Sequence, residues 1–353
     1  MTEDGGERQG EGKMGRLGDG AKGRPGGERT GDEPAHDGIH NTVARTRYLA
    51  PADIVAIAYL VIIAALILIF RYRIDVWHWL LAAHAVGIGF VFLISWLDRS
   101  RRMDSSPSRP ITPSPRLPFV SFIHGWYPVA LIPITFKELT YLIPKVHPRD
   151  FDSALAAIDY QVFRAHPTVW LERFTWPPLT ELLQICYPTY YFLPIILGGF
   201  IWRSGKTERF RFWVFVVTIA FYLSYLGYVA VPAIGPRFLP EILEAQTKPL
   251  TGLLFFETVR ETLNRAEGLT RDCFPSGHTE ITLVAVYYAW RFHRKTFRFF
   301  LPLGAAIVLS TVYLRYHYVV DVVAGALLAG VVILTARHIF RFFGGDDRAA
   351  LDL

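Results

Sequence analysis

The sequence has few cysteines and few charged residues. Of 353 residues only two are cysteine, Cys186 and Cys273, which is too few for a disulfide framework or a cysteine-based metal site. We therefore assign neither cysteine a role, and no cluster of metal-ligand residues points to a metal or another cofactor. Asp, Glu, Lys and Arg make up 19% of the chain, below the ~25% that is usual for soluble globular proteins. This composition excludes an ordinary soluble protein.

The sequence is instead rich in apolar residues. Hydrophobic residues account for 52% of the chain and aromatic residues for 15%. A helix needs about 20 mostly apolar residues to cross the bilayer core, and eight segments approach that length. We predict an all-α fold, a polytopic membrane bundle of about eight transmembrane helices. The predicted spans are residues 50–70, 77–97, 118–136, 180–202, 212–231, 278–290, 299–314 and 318–335.

The remaining segments divide the chain into four parts. Residues 1–46 are rich in Gly, Glu, Arg and Asp. They would bury too little apolar surface to offset the conformational entropy lost on folding, and they are predicted to be a disordered cytoplasmic tail. Residues 47–117 are predicted to hold two extra transmembrane helices and then, from residue 98, a basic loop without helix. Residues 118–341 form the main membrane domain, and residues 342–353 are a C-terminal tail.

The basic residues lie in short clusters between the apolar segments. A formal charge of +6 and a pI near 9.3 do not indicate nucleic acid as a partner, because that would require the basic residues on one polar face. The clusters instead follow the positive-inside rule for eight helices with both termini in the cytoplasm. The clusters are near residues 45–47, 99–116, 203–211, 291–298 and 337–341. The loop over residues 232–272 is then external.

Three separated segments carry polar residues that can perform chemistry. Ser276 is predicted to cap a helix and Gly277 to let the backbone approach a ligand, so that free N–H groups and the positive end of the helix dipole face an anion. The predicted topology brings all three segments to the external face. The segments are residues 235–238 (Gly-Pro-Arg-Phe), residues 273–279 (Cys-Phe-Pro-Ser-Gly-His-Thr) and residues 310–321 with Arg315, His317 and Asp321. This pattern predicts a phosphate site.

Two histidines and a carboxylate are predicted to act on the phosphate. His317 and Asp321 are four residues apart on a predicted helix, so the carboxylate can accept a hydrogen bond from one imidazole nitrogen and leave the other free to attack phosphorus. His278 lies at the start of another predicted helix and can protonate the leaving oxygen as a general acid. Arg237 and Arg315 offer guanidinium groups that match phosphoryl oxygens in geometry and charge.

The second and third segments resemble motifs of a known enzyme family. Pro-Ser-Gly-His at residues 275–278, followed by Arg-x-His-Tyr-x-x-Asp-Val at residues 315–322, is similar to two motifs of the type 2 phosphatidic acid phosphatase superfamily. The resemblance implies six core helices, here the last six of eight, and a metal-independent phosphohistidine intermediate. It also implies His317 as the nucleophile, Asp321 as its partner and His278 as the proton donor. The expected substrate is a membrane lipid phosphate, without a cofactor.

Two positions depart from the motifs of that superfamily. Its first motif has a Lys seven residues before an Arg-Pro pair, whereas this chain has Ala230 there and Phe238 after Arg237. Its third motif has an Arg six residues before the His, where this chain has Thr311. Since Thr311 and Arg315 would be one helical turn apart on one face, we predict that the guanidinium of Arg315 takes the place of the arginine that the superfamily has at the position of Thr311.

These departures, with residues 152–170 and 228–237, resemble the branch of the superfamily that contains inositol phosphorylceramide synthases. Members of that branch transfer a phospho-alcohol head group between lipids. The acceptor is therefore open: water would make the chain a phosphatase, and a polyol or another alcohol would make it a transferase. A lipid-binding or transport protein with a degenerate site is an alternative from another class.

Polar residues outside these motifs receive structural interpretations. Residues 137–178 mix charges, Trp and Pro, which predicts short amphipathic helices at the membrane interface. Asp152 and Asp159 are seven residues apart there and are expected on a solvated face. His84 and His124 have no motif around them and are assigned no catalytic role, although each lies in a predicted span and could contact another helix.

Overall fold

The computed structural model of the protein describes residues 49–103, 119–267 and 271–351. Within these ranges the chain forms helices and no β-strand, which confirms the predicted all-α fold. The predicted tail at residues 1–46 and most of the basic loop lie outside the described residues. The α-helices, in chain order, are α1 (Pro51–Ile69), α2 (Trp77–Met103), α3 (Phe119–Val146), α4 (Asp152–Phe163), α5 (Pro167–Trp170), α6 (Pro177–Cys186), α7 (Phe192–Arg203), α8 (Thr207–Ala230), α9 (Pro240–Ala245), α10 (Phe256–Glu267), α11 (Gly277–Phe292), α12 (Arg294–Tyr313), α13 (Val319–Phe342) and α14 (Asp347–Leu351).

Seven helical segments in the described ranges are long and apolar enough to cross a membrane, so the chain is an integral membrane protein. They are α1, α2, α3, the combined α6 and α7, α8, α12 and α13. The remaining predicted span, residues 278–290, corresponds to α11, which has 16 residues and a length of ~24 Å at 1.5 Å per residue, below the ~30 Å of a hydrocarbon core. The short helix is nevertheless well buried, so protein rather than lipid surrounds much of it.

Helix α8 lies at the centre of the bundle. Its most apolar window is 61% buried, and it packs against α1, α3, α7, α11 and α13. The N-terminal half of α8 contributes Phe212, Trp213 and Phe215, which are almost fully buried. Because α8 contacts helices from both ends of the chain, it joins the N-terminal helices to those that carry the two histidine motifs.

Two helices extend beyond their predicted ends. In each extension a charged side chain has a polar partner on a neighbouring helix. Helix α3 continues to Val146, ten residues past the predicted end at residue 136, and places Glu138 3.5 Å from His84 of α2. Helix α2 continues to Met103, so the prediction of a loop without helix from residue 98 is wrong for its first residues. Asp98 is buried there and accepts a hydrogen bond from Ser121.

A buried polar cluster holds the first three helices together. The imidazole of His124 in α3 lies between two carboxylates, with Nε2 3.0 Å from Asp53 of α1 and Nδ1 3.1 Å from Asp98 of α2. Ser95 and Tyr127 also donate to Asp53, at 2.8 and 3.0 Å. Ionisable groups inside a membrane must be paired, so this cluster fixes how α1, α2 and α3 align. The predicted helix-contact role of His124 agrees with this geometry.

Candidate active site

His317 is held at the end of a turn rather than on a helix. Its backbone N–H donates to Thr311 at 2.9 Å, and α13 begins only at Val319, so the premise that His317 and Asp321 share a helix face is wrong. The side chains still meet, because Asp321 in the first turn of α13 reaches back towards the imidazole. His317 Nδ1 lies 2.9 Å from the carbonyl oxygen of Cys273 and 3.5 Å from Asp321 Oδ2.

These contacts fix the tautomer of the His317 imidazole. A carbonyl oxygen can only accept a hydrogen bond, so Nδ1 carries the proton and donates to Cys273. The other nitrogen, Nε2, then carries the lone pair. This is the arrangement that a histidine needs to attack an electrophile through Nε2.

Cys273 belongs to the site, although the sequence analysis assigned it no role. Its thiol donates to Asp321 Oδ2 at 2.9 Å, and the sulfur is 3.5 Å from His317 Nδ1. Burial, with a smaller contribution from the Asp321 charge, raises the pKa of the Cys273 thiol well above its usual range. The only sequence signal for this role is the position of Cys273 two residues before Pro275 of the second motif.

His278 lies at the start of α11, as the second motif predicts. Ser276 is the N-cap of this helix, and its hydroxyl accepts a hydrogen bond from the backbone of Thr279 at 3.3 Å. The His278 ring packs between Tyr187 and Tyr190, with ring centroids 4.0 and 3.9 Å away.

The structure brings the two histidines together. The ring centroids of His278 and His317 are 5.6 Å apart. His278 Nε2 is buried and makes no hydrogen bond to any residue that the structure describes. The backbone N–H of Ser276 donates to the carbonyl of Asp321 at 3.0 Å, which fixes the start of α11 against the start of α13. A small group between the two rings would contact both imidazoles.

The first turn of α11 has free hydrogen-bond donors. Within the described ranges, the backbone N–H groups of Gly277 and His278 have no acceptor, as is usual for the first residues of a helix. Packing also requires glycine at residue 277, because a Cβ there would lie 2.2 Å from the Tyr228 hydroxyl oxygen. The missing side chain thus makes room for Tyr228. The predicted role of Gly277 in letting a ligand approach the backbone stays a prediction.

Arg237 lies at the outer end of an aromatic stack that leads to His278. Its guanidinium is 4.5 Å from the ring centroid of Tyr316 and donates to Asn264 at 2.9 Å. The Tyr316 ring stacks on Tyr187 at 4.2 Å, and Tyr187 stacks on His278. Arg237 is partly exposed, whereas His278 at the other end of the stack is buried.

Arg315 is placed differently from the prediction. Helix α12 ends at Tyr313, and Arg315 has a left-handed backbone with φ of 65°, so the premise that it shares a helical face with Thr311 is wrong. Its buried guanidinium donates to Glu172 at 2.9 Å, to Gln246 at 2.7 Å and to the carbonyl of Lys248 at 2.7 Å. None of these partners belongs to the three motifs. Phosphate binding by Arg315 stays a prediction.

Four buried carboxylates within residues 152–181 accept backbone N–H groups of later loops, and we call them the supporting carboxylates. Asp152 and Asp159 are among them, so the prediction that they lie on a solvated face is wrong. Each supporting carboxylate accepts at least two backbone N–H groups. They are Asp152 (from Ile234 and Gly235), Asp159 (from Val319 and Val320), Glu172 (from Thr247 and Lys248) and Glu181 (from residues 253–256).

One group of side chains in the described ranges is close enough to hold a metal ion. Cys273, His317 and Asp321 offer ligand atoms that lie within 4.8 Å of one another. The same atoms already bond to one another or to the backbone, with the thiol proton and the Nδ1 proton in place. The prediction of a metal-independent site stays a prediction.

An apolar groove of about 380 Å³ lies between α3, α7 and α8, and we call it the α3–α8 groove. On α8 its lining runs from Phe210 to Tyr225, a rise of ~22 Å at 1.5 Å per residue. Its lining includes Tyr191, whose ring centroid is 6.5 Å from that of His278. One part of the groove therefore lies close to His278.

Comparison with known proteins identifies the family. Residues 154–335, just over half of the chain, match the PAP2 superfamily. The chain belongs to the PAP2 superfamily. The matched region begins within α4, so α1, α2 and α3 lie outside it.

Two curated proteins are similar to the chain. A PA-phosphatase related-family protein of Dictyostelium discoideum is 24% identical over 164 residues, which cover 41% of this chain and 30% of that protein. The bacitracin transport permease protein BcrC of Bacillus licheniformis is 26% identical over 159 residues, which cover 43% of this chain and 70% of that protein. The match thus spans less than a third of the Dictyostelium protein. No solved structure matches the chain.

Proposed function

We propose that the protein is a membrane enzyme that cleaves a phosphoester of a lipid-like substrate through a phosphohistidine at His317. The observation that carries the proposal is the pair of imidazoles with centroids 5.6 Å apart. One ring has its Nδ1 tied to a carbonyl oxygen, and the other has a buried Nε2 without a partner among the described residues. Membership of the PAP2 superfamily supports the same chemistry.

The reaction takes place in two steps. In the first step, His317 Nε2 attacks phosphorus, the bond from phosphorus to the lipid oxygen breaks, and His278 gives its proton to that oxygen. In the second step, an acceptor oxygen attacks the phosphohistidine, the P–N bond breaks, and the acceptor proton passes to His278. Asp321 stabilises the positive charge that develops on the His317 ring.

Groups on two elements would bind the phosphoryl oxygens. The free N–H groups of Gly277 and His278, in the helix turn capped by Ser276, present the positive end of the α11 dipole. Arg237 adds a guanidinium from the external side. We assign the phosphate to these groups first, because the guanidinium of Arg315 already has three acceptors.

A lipid substrate fits the surroundings of the site. The α3–α8 groove offers an apolar path next to His278 for a hydrocarbon tail while the phosphate remains at the histidines. The positive-inside pattern favours cytoplasmic termini and a site on the external side.

Trapping the phosphoenzyme tests the proposal. We expect the detergent-purified protein to acquire acid-labile label from a ³²P-labelled lipid phosphate, and His317→Ala to acquire none. His278→Ala should form the phosphoenzyme roughly 10²- to 10⁴-fold more slowly, as loss of a general acid predicts. His78→Ala is the matched control, because His78 is an exposed histidine at the start of α2, outside the three motif segments. Labelling of His317→Ala at the wild-type rate would contradict the proposal.

The fate of the label distinguishes the acceptor. Release of inorganic phosphate in the absence of alcohol identifies a phosphatase. Appearance of label in an added polyol or in a second lipid identifies the head-group transfer that the inositol phosphorylceramide synthase branch performs. A folded wild-type protein that forms no phosphoenzyme with any substrate in a lipid phosphate panel would favour a non-catalytic lipid-binding or transport protein.

A further inference from the structure

Cys273 contacts both members of the His317–Asp321 pair. Its backbone carbonyl accepts the proton of His317 Nδ1 at 2.9 Å, and its thiol lies 2.9 Å from Asp321 Oδ2. The backbone N–H of Cys273 donates to Ala233 at 3.0 Å, so the residue is anchored to the segment that precedes Arg237. A single residue thereby connects the three motif segments.

The thiol is a hydrogen-bond donor at neutral pH. Cys273 is 3% exposed, and its raised pKa keeps the proton on sulfur. A carboxylate can only accept, and Asp321 Oδ2, at 2.9 Å, is a nearer acceptor for the thiol proton than the carbonyl oxygen of Tyr316 at 3.3 Å. Attack on phosphorus by this sulfur would need the thiolate, which the buried position disfavours.

Asp321 needs such a donor because its contact with His317 is long. The distance from His317 Nδ1 to Asp321 Oδ2 is 3.5 Å, whereas Tyr318 donates its backbone N–H to the same oxygen at 2.8 Å. The Tyr318 amide and the Cys273 thiol therefore determine where Asp321 Oδ2 lies relative to the imidazole. Without the thiol, one of the two short contacts on that oxygen is lost.

Cys186 provides a contrast within the same chain. It is also buried, at 9% exposure, but it packs in the hydrophobic core at the end of α6. Its sulfur makes no hydrogen bond with any residue in the described ranges. Burial alone thus does not give a cysteine the contacts that Cys273 has.

We propose that Cys273 is a positioning residue that holds the Asp321 carboxylate beneath the His317 imidazole and thereby accelerates formation of the phosphohistidine. The inference rests on the proposed function. In this role the Cys273 side chain does not contact the lipid. Loss of the thiol should therefore slow the chemical step and leave substrate binding unaltered.

Three variants test this role with the purified full-length protein. Cys273→Ala removes the donor, and we expect kcat to fall about 10-fold, the lower end for a hydrogen bond to a charged group, with KM unchanged. Cys273→Ser keeps a donor and should retain kcat within about threefold of wild type. Cys186→Ala, the matched control, should retain both constants. Melting temperatures of all three variants report whether each one folds.

The outcomes separate this inference from the proposed function. If wild type forms no His317-dependent phosphoenzyme, the proposed function fails. If it does, and Cys273→Ala retains wild-type kcat, the inference about Cys273 alone is overturned. Should the alanine variant fail to fold, the serine variant still decides, because a folded Cys273→Ser that loses activity despite its hydroxyl would equally overturn the inference.

Discussion

Replacing Arg315 with alanine distinguishes a phosphate-binding arginine from a structural one. In the structure, Arg315 is the sole described partner of Glu172 Oε1, at 2.9 Å, while Glu172 Oε2 accepts from Thr247 and Lys248. Both side chains are nearly buried, at 10% and 6% exposure. Loss of the guanidinium therefore leaves one carboxylate oxygen buried without a donor.

The contacts set the size of the expected effect. Breaking a buried ion pair costs ~3–5 kcal/mol, and the donors that remain on Glu172 Oε2 should hold the loss near ~2–3 kcal/mol. At ~2–4 °C per kcal/mol, Arg315→Ala should lower the melting temperature in detergent by at least ~4 °C. Glu172→Gln should lower it similarly, and the double variant should lose less than the sum of the two effects because they share one interaction.

Kinetics complete the test. If Arg315 is structural, Arg315→Ala and Glu172→Gln should change kcat/KM to a similar extent. If Arg315 binds phosphate, Arg315→Ala should lose far more kcat/KM than Glu172→Gln, and its melting temperature should stay close to that of wild type. The second result would refute the reasoning from the ion pair. Arg173→Ala is the matched control, since Arg173 is an exposed arginine adjacent to Glu172.

Two further predictions concern the groove and the start of α13. Gly198→Leu should raise KM for a long-chain lipid phosphate, because even a Cβ at residue 198 would lie 3.3 Å from two tryptophan rings that line the groove. Gly199→Leu is the control and should leave KM unchanged, because a Cβ at residue 199 would meet nothing within 4 Å. Asp159→Asn should reduce stability by ~1–2 kcal/mol in thermal unfolding, because an amide NH2 group, which donates, replaces one of the two carboxylate oxygens that accept from Val319 and Val320. An unchanged melting temperature would show that the cap is dispensable.

The pH dependence of stability at Asp159 has a definite sign. Burial raises the pKa of Asp159 in the folded protein, although the N–H groups of Val319 and Val320 oppose this shift. A carboxyl whose folded pKa exceeds its unfolded pKa favours folding below the unfolded value and loses that contribution as pH rises through the folded value. Wild type should therefore lose this contribution just above the ordinary Asp range, and Asp159→Asn should lack the change. Identical stability profiles for the two proteins in that range would contradict the shift.

The fold and the two histidines could be predicted because their signals are local. Long apolar runs identify membrane helices without knowledge of their partners. The second motif places Ser276 and His278 within one helical turn, and the structure has that turn. Arg315 could not be placed in this way, because its position depends on where α12 ends and on a left-handed residue that the helical pattern does not reveal.

Cys273 and the supporting carboxylates could not be identified because their contacts are distant in sequence. Cys273 and Asp321 are 48 residues apart, and Asp159 and Val319 are 160 apart. An acidic residue on a short amphipathic helix looks the same in sequence whether water or a remote N–H group solvates it. Its burial becomes apparent only once residues 152–181 are packed against the later loops.

Two of the supporting carboxylates show how residues 152–181 hold the candidate site although that segment contains none of the three motifs. Asp152 accepts from Gly235, two residues before Arg237, and Asp159 accepts from Val319, two residues after His317. Buried backbone N–H groups cost free energy unless they have acceptors, so the stretch before Arg237 and the stretch after His317 depend on Asp152 and Asp159 for their positions.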